Sequence, residues 1–232
     1  MTPAETQSLA NATCCWLAYK SLTGFHSMLS EATLALPIAE FLASRTSWIL
    51  TSELSYKHLA GPNVLPDFWC DFAGRRKSGE GTQFILEAKF LKRDAKGASA
   101  GIAADFIRLS LPPGLRLKRY FLLAGQSKFF PKSDAGFLFG KNLFGLQPPT
   151  KGCYVTPSEE IKKKNLSAFR SSFVTVNGEL DDSRIPKLAY VTCRAISEVP
   201  SEGDQGFKTI IWSVGRAKSP PTTTTDATST AQ

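Results

Sequence analysis

The stretch Phe84-Ile-Leu-Glu-Ala-Lys-Phe90 carries two opposite charges inside an apolar run that is typical of a buried β-strand. Side chains alternate between the two faces of a strand, so Glu87 and Lys89 project from the same face. Transferring each charge from water into the protein costs several kcal/mol, so a buried strand rarely contains two charged side chains without a chemical reason. The same three-residue pattern recurs at Asp94-Ala-Lys96 and Glu160-Ile-Lys162, but without an apolar strand around it.

The residues after this strand predict a helix and a second strand. Ile102, Phe106 and Leu109 recur at helical spacing within residues 98–111, and Pro112-Pro113-Gly114 ends the helix. Residues 119–125 form a short apolar run. The order strand, helix, strand predicts a βαβ unit, in which the two strands are parallel.

A helix over residues 27–45 is predicted ahead of the strands. Its apolar stripe consists of Met28, Ala35, Ile38 and Leu42. Pro37 should kink this helix or divide it into two. Glu31 falls on the same stripe, where a buried acid needs a partner such as a metal ion or its water.

Two further strands are predicted over residues 48–56 and 64–73, and turn-forming residues 74–81 join the second of them to the central strand as a hairpin. This hairpin brings Asp67 and Asp71, which share a face, beside Glu87. Carboxylates that converge next to a lysine predict a site for Mg²⁺, which prefers hard oxygen ligands. Asp67 and Asp71 are alternatives for the ligand on this strand. The structural alternative for the whole group is a salt bridge between Glu87 and Lys89 or Asp67.

The run Pro66-Asp67, nineteen residues and then Glu87-Ala88-Lys89 resembles the PD-(D/E)XK nucleases, the restriction-endonuclease-like superfamily. The order helix, three strands, helix, strand over residues 27–125 is similar to that family's core. The resemblance implies an α/β fold with a mixed central sheet. It also implies that Asp67 and Glu87 bind Mg²⁺, or Mn²⁺ as a substitute, with the Ala88 carbonyl as a further ligand. Lys89 would position and polarise the attacking water, and Glu31 matches an acid that many members carry on the leading helix.

Positive charge is concentrated around this motif. The chain has a net charge of +8, whereas residues 74–132 contain 13 basic and 4 acidic residues, a net charge of +9. This excess favours a polyanion such as nucleic acid as partner, with DNA preferred, although a solvated basic surface is the alternative. The candidates for phosphate contacts are predicted in loops at the two ends of the hairpin strands: Arg75, Arg76, Lys77, Lys92, Arg93 and Lys96.

Composition excludes several other classes of protein. The chain has no run of 18 apolar residues and no signal-peptide pattern at its start, so we expect no membrane span and a cytoplasmic protein. Five cysteines without a CxxC pair argue against a disulfide framework or a four-cysteine zinc site. No glycine-rich phosphate loop precedes a helix, which argues against hydrolysis of nucleoside triphosphates.

The sequence therefore predicts a nuclease-like catalytic core over residues 1–125 and a C-terminal extension over residues 126–218. The extension includes strands at 187–194 and 207–214, and either completes the sheet or forms a substrate-facing lobe. Residues 219–232 are predicted to be a disordered tail. The expected function is metal-dependent endonucleolytic hydrolysis of phosphodiester bonds in DNA. The alternatives are an RNA-directed nuclease and a catalytically silent nucleic-acid-binding or assembly module, and a homodimer or a partner protein is left open.

Overall fold

The structure is a computed structural model. It describes residues 1–45, 47–60, 69–79, 81–92, 116–130, 153–155, 189–200 and 206–215, together with 102, 105, 106 and 108–110. Asp67, Arg93 and Lys96 lie outside the described residues. So do the predictions that fall on residues 64–68 and on the 219–232 tail.

A mixed seven-stranded sheet is the centre of the fold. Its strands are β1 (Trp48–Ser55), β2 (Trp69–Arg76), β3 (Phe84–Leu91), β4 (Lys118–Gln126), β5 (Cys153–Val155), β6 (Ala189–Val199) and β7 (Phe207–Val214). The order across the sheet is β1-β2-β3-β4-β7-β6-β5. Among the described strands, only β3 and β4 pair in parallel, and the other described neighbouring pairs are antiparallel. The mixed α/β fold and the parallel βαβ pair are therefore confirmed.

Helices cover both faces of this sheet. They are α1 (Pro3–Lys20), α2 (Glu31–Ser44), the short α3 (Lys57–Ala60) and a crossover helix between β3 and β4, which is described at residues 102, 105, 106 and 108–110. Helix α1 was not predicted from the sequence. A capping box fixes its start, since Thr2 and Glu5 each bind the other's backbone N–H.

The two faces of β3 and β4 contact different helices, because side chains alternate along each strand. On one face, Ile102, Phe106 and Leu109 of the crossover helix are fully buried, and the ring of Phe106 lies 4.8 Å from that of Phe121 and 5.6 Å from that of Trp212. On the other face, α1 and α2 pack against Leu86, Leu122 and Ile211, among others. Glu87 and Lys89 belong to the face that the crossover helix covers.

Two details of the leading helix differ from the prediction. Helix α2 begins at Glu31, capped by Ser30, and not at residue 27, because His26–Met28 forms a separate 3₁₀ turn. Met28 is therefore 64% exposed and lies outside the apolar stripe. The helix also runs through Pro37 without dividing, and burial of the proline ring on the packed face offsets the missing hydrogen bond.

The hairpin of β2 and β3 turns later than predicted. β2 continues to Arg76, and Arg75 and Arg76 pair with Ile49 and Trp48 of β1. The prediction that these two arginines lie in a loop is therefore wrong, because pairing with β1 extends the strand beyond its apolar residues. Lys77 does lie in the turn.

A substitution at Gly125 on β4 tests how tightly the parallel strands β3 and β4 are packed. It lies opposite Leu91, and a Cβ added there would lie 2.7 Å from both the carbonyl oxygen and the Cβ of Leu91. Because this obstacle includes the backbone of a central strand, Gly125→Ala should lower the free energy of unfolding by about 1–3 kcal/mol in urea titrations. Gly79→Ala is the control, since its Cβ would chiefly meet the end of the flexible Gln83 side chain. Equal stability of the two variants would contradict this packing.

Candidate active site

A group of charged side chains occupies the boundary between β3 and the crossover helix. This charged cluster consists of Asp71 on β2, Glu87 and Lys89 on β3, and Asp105 and Arg108 on the crossover helix. The alternation of β3 places Glu87 and Lys89 on the face covered by the helix, so they meet the helical pair there. Glu31, the first residue of α2, lies at the rim of the cluster.

Glu87 is one of two almost fully buried carboxylates of the charged cluster, with 8% of the residue exposed against 6% for Asp105. Its Oε1 accepts a hydrogen bond from the Arg108 guanidinium. Its Oε2 is also buried and has no hydrogen-bond partner among the described residues. Burial raises the pKa of Glu87 to about 8, since the attraction of Arg108 does not outweigh it and Asp71 and Asp105 add repulsion.

Lys89 is held as an ammonium group. Its Nζ donates a hydrogen bond of 2.9 Å to Oδ2 of Asp105. Burial lowers the pKa of Lys89, but the negative charges of Asp105, Glu31 and Glu87 outweigh it, and the net shift is upward. Lys89 therefore carries a positive charge across the physiological pH range and has no tendency to accept a proton.

The crossover helix supplies the partners of both motif residues. Arg108 donates to Glu87 and, at 3.0 Å, to Oδ1 of Asp105 one turn away. Asp105 and Arg108 are three residues apart, a spacing at which oppositely charged side chains on a helix can pair. Their contacts with Glu87 and Lys89 were not predicted. The available signal was the position of Asp105 between Ile102 and Leu109, on the face that packs against the sheet.

Asp71 connects β2 to β3 at the point where their backbone pairing stops. The described pairing of β2 with β3 comprises three residue pairs next to the turn, and Phe72 with Leu86 is the pair farthest from the turn. Past that point, Oδ2 of Asp71 accepts a hydrogen bond of 2.7 Å from the backbone N–H of Ala88. Burial raises the pKa of Asp71, although the Ala88 N–H and Arg108 oppose this shift. The Asp71 carboxylate therefore lies beside Glu87 and takes the place of the backbone carbonyl that would otherwise accept the hydrogen bond of the Ala88 N–H.

The neighbouring strand is distorted at the same level. On β1, Ser52 pairs with Phe72 and Leu54 pairs with Cys70, whereas Glu53 between them has a φ of 51°. A non-glycine residue in this left-handed region costs about 1–2 kcal/mol. The register places Glu53 opposite Asp71, so the irregular part of the sheet coincides with the carboxylate of the charged cluster.

A cleft opens from the charged cluster to the surface. Its volume is about 430 Å³, and its charged lining residues are Glu31, Lys89 and Lys92. Partial burial raises the pKa of Glu31, as do Asp71 and Asp105, while Lys89 opposes the shift. The prediction that Glu31 faces inward on an apolar stripe is wrong, since Glu31 is exposed at the rim. The start of α2 at this residue places it at the mouth of the cleft, close to Lys89.

The predicted phosphate-binding residues divide into two places. Lys92 is exposed, follows β3 directly and lines the cleft. Arg75, Arg76 and Lys77 are exposed at the opposite end of the hairpin, beside the start of β3. Lys89 lies five positions after Phe84, which is roughly 16 Å along a strand. Among the described candidates, only Lys92 therefore borders the cleft.

The described residues contain no group of three or more His, Cys, Asp or Glu side chains that could hold a metal ion. The described cysteines with resolved side chains are free thiols, and three of the four are buried. No described helix is long and apolar enough to cross a membrane. The chemistry of the charged cluster therefore depends on fewer than three metal-binding carboxylates, together with Lys89 and Arg108.

The raised pKa of Glu87 predicts a pH-dependent stability. Its folded-state pKa of about 8 lies above the ordinary value of 4.5, so the free energy of unfolding falls as the pH rises between these values. Glu87→Gln cannot ionise. We expect the variant to gain stability relative to the parent from about pH 5 to about pH 8 in urea titrations with a chelator present. A difference that stays constant over this range would contradict the burial of an ionisable Glu87.

Comparisons with known proteins identify no relative of this chain. No family model, no curated protein and no solved structure matches it. The family of the chain is therefore not shown, and its function has to be argued from the charged cluster and the cleft.

Proposed function

We propose that this protein is a metal-dependent nuclease, which hydrolyses phosphodiester bonds at the charged cluster with Mg²⁺ bound by Glu87 and Asp71. The observation that carries the proposal is the buried Oε2 of Glu87, which has no hydrogen-bond partner among the described residues and lies in a cluster with a second buried carboxylate. A buried oxygen acceptor of this kind is costly unless a ligand satisfies it. Lys89, on the same face of β3, supplies the cation that such chemistry needs.

The donor atoms fit one Mg²⁺ ion. This ion keeps several water molecules and is often bound through only one or two carboxylates, so a group of three is not required. The cluster and its rim contain four carboxylates, those of Glu31, Asp71, Glu87 and Asp105, and two cations, Lys89 and Arg108. When all six groups are ionised, two negative charges remain, which one divalent cation balances.

Asp71 is our preferred ligand on β2, because its carboxylate is hydrogen-bonded to the Ala88 N–H beside Glu87. Asp67, the ligand implied by the family resemblance, remains the alternative. The Ala88 carbonyl is a further ligand on the same resemblance. The order of α2, β1, β2, β3, the crossover helix and β4 agrees with the order of elements in that family's core, which supports the proposal.

In this reaction, a bound Mg²⁺ ion would act as a Lewis acid on the phosphate and lower the pKa of a water molecule. The oxygen of a water molecule forms a bond to phosphorus and the water gives up one proton. The bond from phosphorus to the leaving oxygen breaks, and the leaving oxygen gains one proton, so the step is balanced. Lys89 contributes charge and not base catalysis, since its raised pKa and its bond to Asp105 keep it protonated. Its ammonium group stabilises the negative charge that develops on the phosphate.

Nucleic acid is the proposed substrate, with DNA preferred and RNA as the alternative. The excess of positive charge over residues 74–132 and the position of Lys92 at the cleft support a phosphate backbone as the ligand. A second candidate function is a catalytically silent binding module. The ion pairs of Arg108 with Glu87 and of Lys89 with Asp105 favour it, because each motif residue already has a protein partner.

The first test of the proposal measures cleavage of plasmid DNA and of labelled RNA by the full chain. We expect cleavage with Mg²⁺ or Mn²⁺, little cleavage with Ca²⁺ and none in excess chelator, because the proposed ligands are carboxylates. Asp71→Asn should abolish cleavage, whereas Asp67→Asn should leave most of it if Asp71 is the ligand. The opposite result would assign the metal to Asp67, and full cleavage in chelator by clean protein would exclude the mechanism.

Substitution of Lys89 tests whether this residue acts in catalysis or only in a structural ion pair. If its charge acts in the transition state, Lys89→Ala should lower turnover by about 10²-fold or more and leave nucleic-acid binding nearly unchanged. Lys89→Arg, which keeps the charge, should retain more activity than Lys89→Ala. A Lys89→Ala protein that melts early but cleaves as well per folded molecule as the parent would show that Lys89 is structural.

A further inference from the structure

Arg108 has two carboxylate partners in the charged cluster, Glu87 and Asp105, and these two differ in how fully their oxygens are bound. Its guanidinium donates to Oε1 of Glu87 and to Oδ1 of Asp105. Asp105 uses its other oxygen, Oδ2, to bind Lys89. Asp105 is therefore fixed on both sides, whereas Glu87 has one oxygen bound to Arg108 and one without a hydrogen-bond partner among the described residues.

We infer that Arg108 competes with the divalent cation for Glu87. Arg108 binds Glu87 in the metal-free protein and withdraws towards Asp105 when Glu87 binds the metal. This inference rests on the proposed function, since it concerns the same carboxylate. Arg108 can release Glu87 without losing all its partners, because Asp105 remains within hydrogen-bond distance at 3.0 Å. Arg108 is thus a positioning residue that acts through Glu87.

The charge of Arg108 determines whether this residue raises or lowers the affinity for the metal. A metal ion that replaces a proton on Glu87 adds one positive charge at that place, and one that binds the ionised carboxylate adds two. In both cases Arg108 repels the added charge over a short, partly desolvated distance, where electrostatic energies are larger than in water. Arg108 therefore lowers the affinity for the metal, while it stabilises the buried Glu87 when no metal is bound.

The experiment measures binding of Mn²⁺ to the full chain, without nucleic acid, by electron paramagnetic resonance of the free ion. Arg108→Gln removes the charge and should bind Mn²⁺ at least about tenfold more tightly than the parent. Arg108→Lys keeps the charge and should bind within about threefold of the parent. The control is Arg75→Gln, which removes an exposed arginine on β2 away from the cluster and should leave the affinity unchanged.

The outcomes separate the two proposals. If Arg108→Gln binds Mn²⁺ no more tightly than the parent does, the competitor role is overturned and the metal site stands. If neither protein binds Mn²⁺, the metal site of the proposed function fails as well. Tighter binding by Arg75→Gln would attribute the gain to net charge alone and would also overturn the inference.

A second neutral variant covers the case in which Arg108→Gln does not fold. Arg108→Met keeps most of the aliphatic volume, and apolar replacements of buried ion-pair residues are often tolerated. If neither neutral variant folds without metal, each should fold when Mn²⁺ is added, as measured by circular dichroism, because the ion replaces the missing positive charge. Failure of Mn²⁺ to restore folding would overturn the inference.

Discussion

Burial of the Glu87 carboxylate at the centre of the sheet is the constraint on which the site depends. A charge in this position is unfavourable unless other groups neutralise and bind it. Arg108 supplies the opposite charge, and Asp105 holds Arg108 and Lys89 together. The crossover helix consequently has two functions, since its apolar residues build the core and its charged residues determine the state of the motif. The position of β3 between β2 and β4 makes both possible.

The sheet is irregular beside the charged cluster. The described pairing of β2 with β3 ends at Phe72 and Leu86, and Glu53 has a left-handed backbone at the level of Asp71. Strained backbone and interrupted pairing both reduce stability, so sequences retain them mainly where a side chain has to be placed for function. Here that side chain is Asp71, whose carboxylate replaces a backbone acceptor for the Ala88 N–H.

The sequence predicts the local elements well and the contacts between them poorly. Apolar periodicity located β3, β4, β7 and the inner face of the crossover helix, because these segments are buried and their patterns are uninterrupted. It also located β1, although most residues of this strand are exposed or only partly buried. It missed α1, although Thr2-Pro3-Ala4-Glu5 is a capping-box sequence, since the buried face of α1 includes small and polar residues. Glu31 and Met28 were misplaced because periodicity does not show where the 3₁₀ turn ends and the helix begins. Glu87 and Lys89 could be singled out from one strand, whereas their partners Asp105 and Arg108 depend on helix packing.

The arrangement of the charged cluster also explains why a motif on one strand is insufficient evidence of activity. In the structure, Glu87 and Lys89 both have partners on the crossover helix, which alone would describe a structural ion-pair network. The network leaves two buried atoms without a hydrogen-bond partner among the described residues, Oε2 of Glu87 and Nε of Arg108, and its charges are unbalanced by two when all are ionised. A purely structural network would be expected to satisfy every buried acceptor, because partial satisfaction is less stable than an apolar core. The unsatisfied oxygen beside a second carboxylate is therefore the feature that distinguishes a binding site from a structural salt bridge.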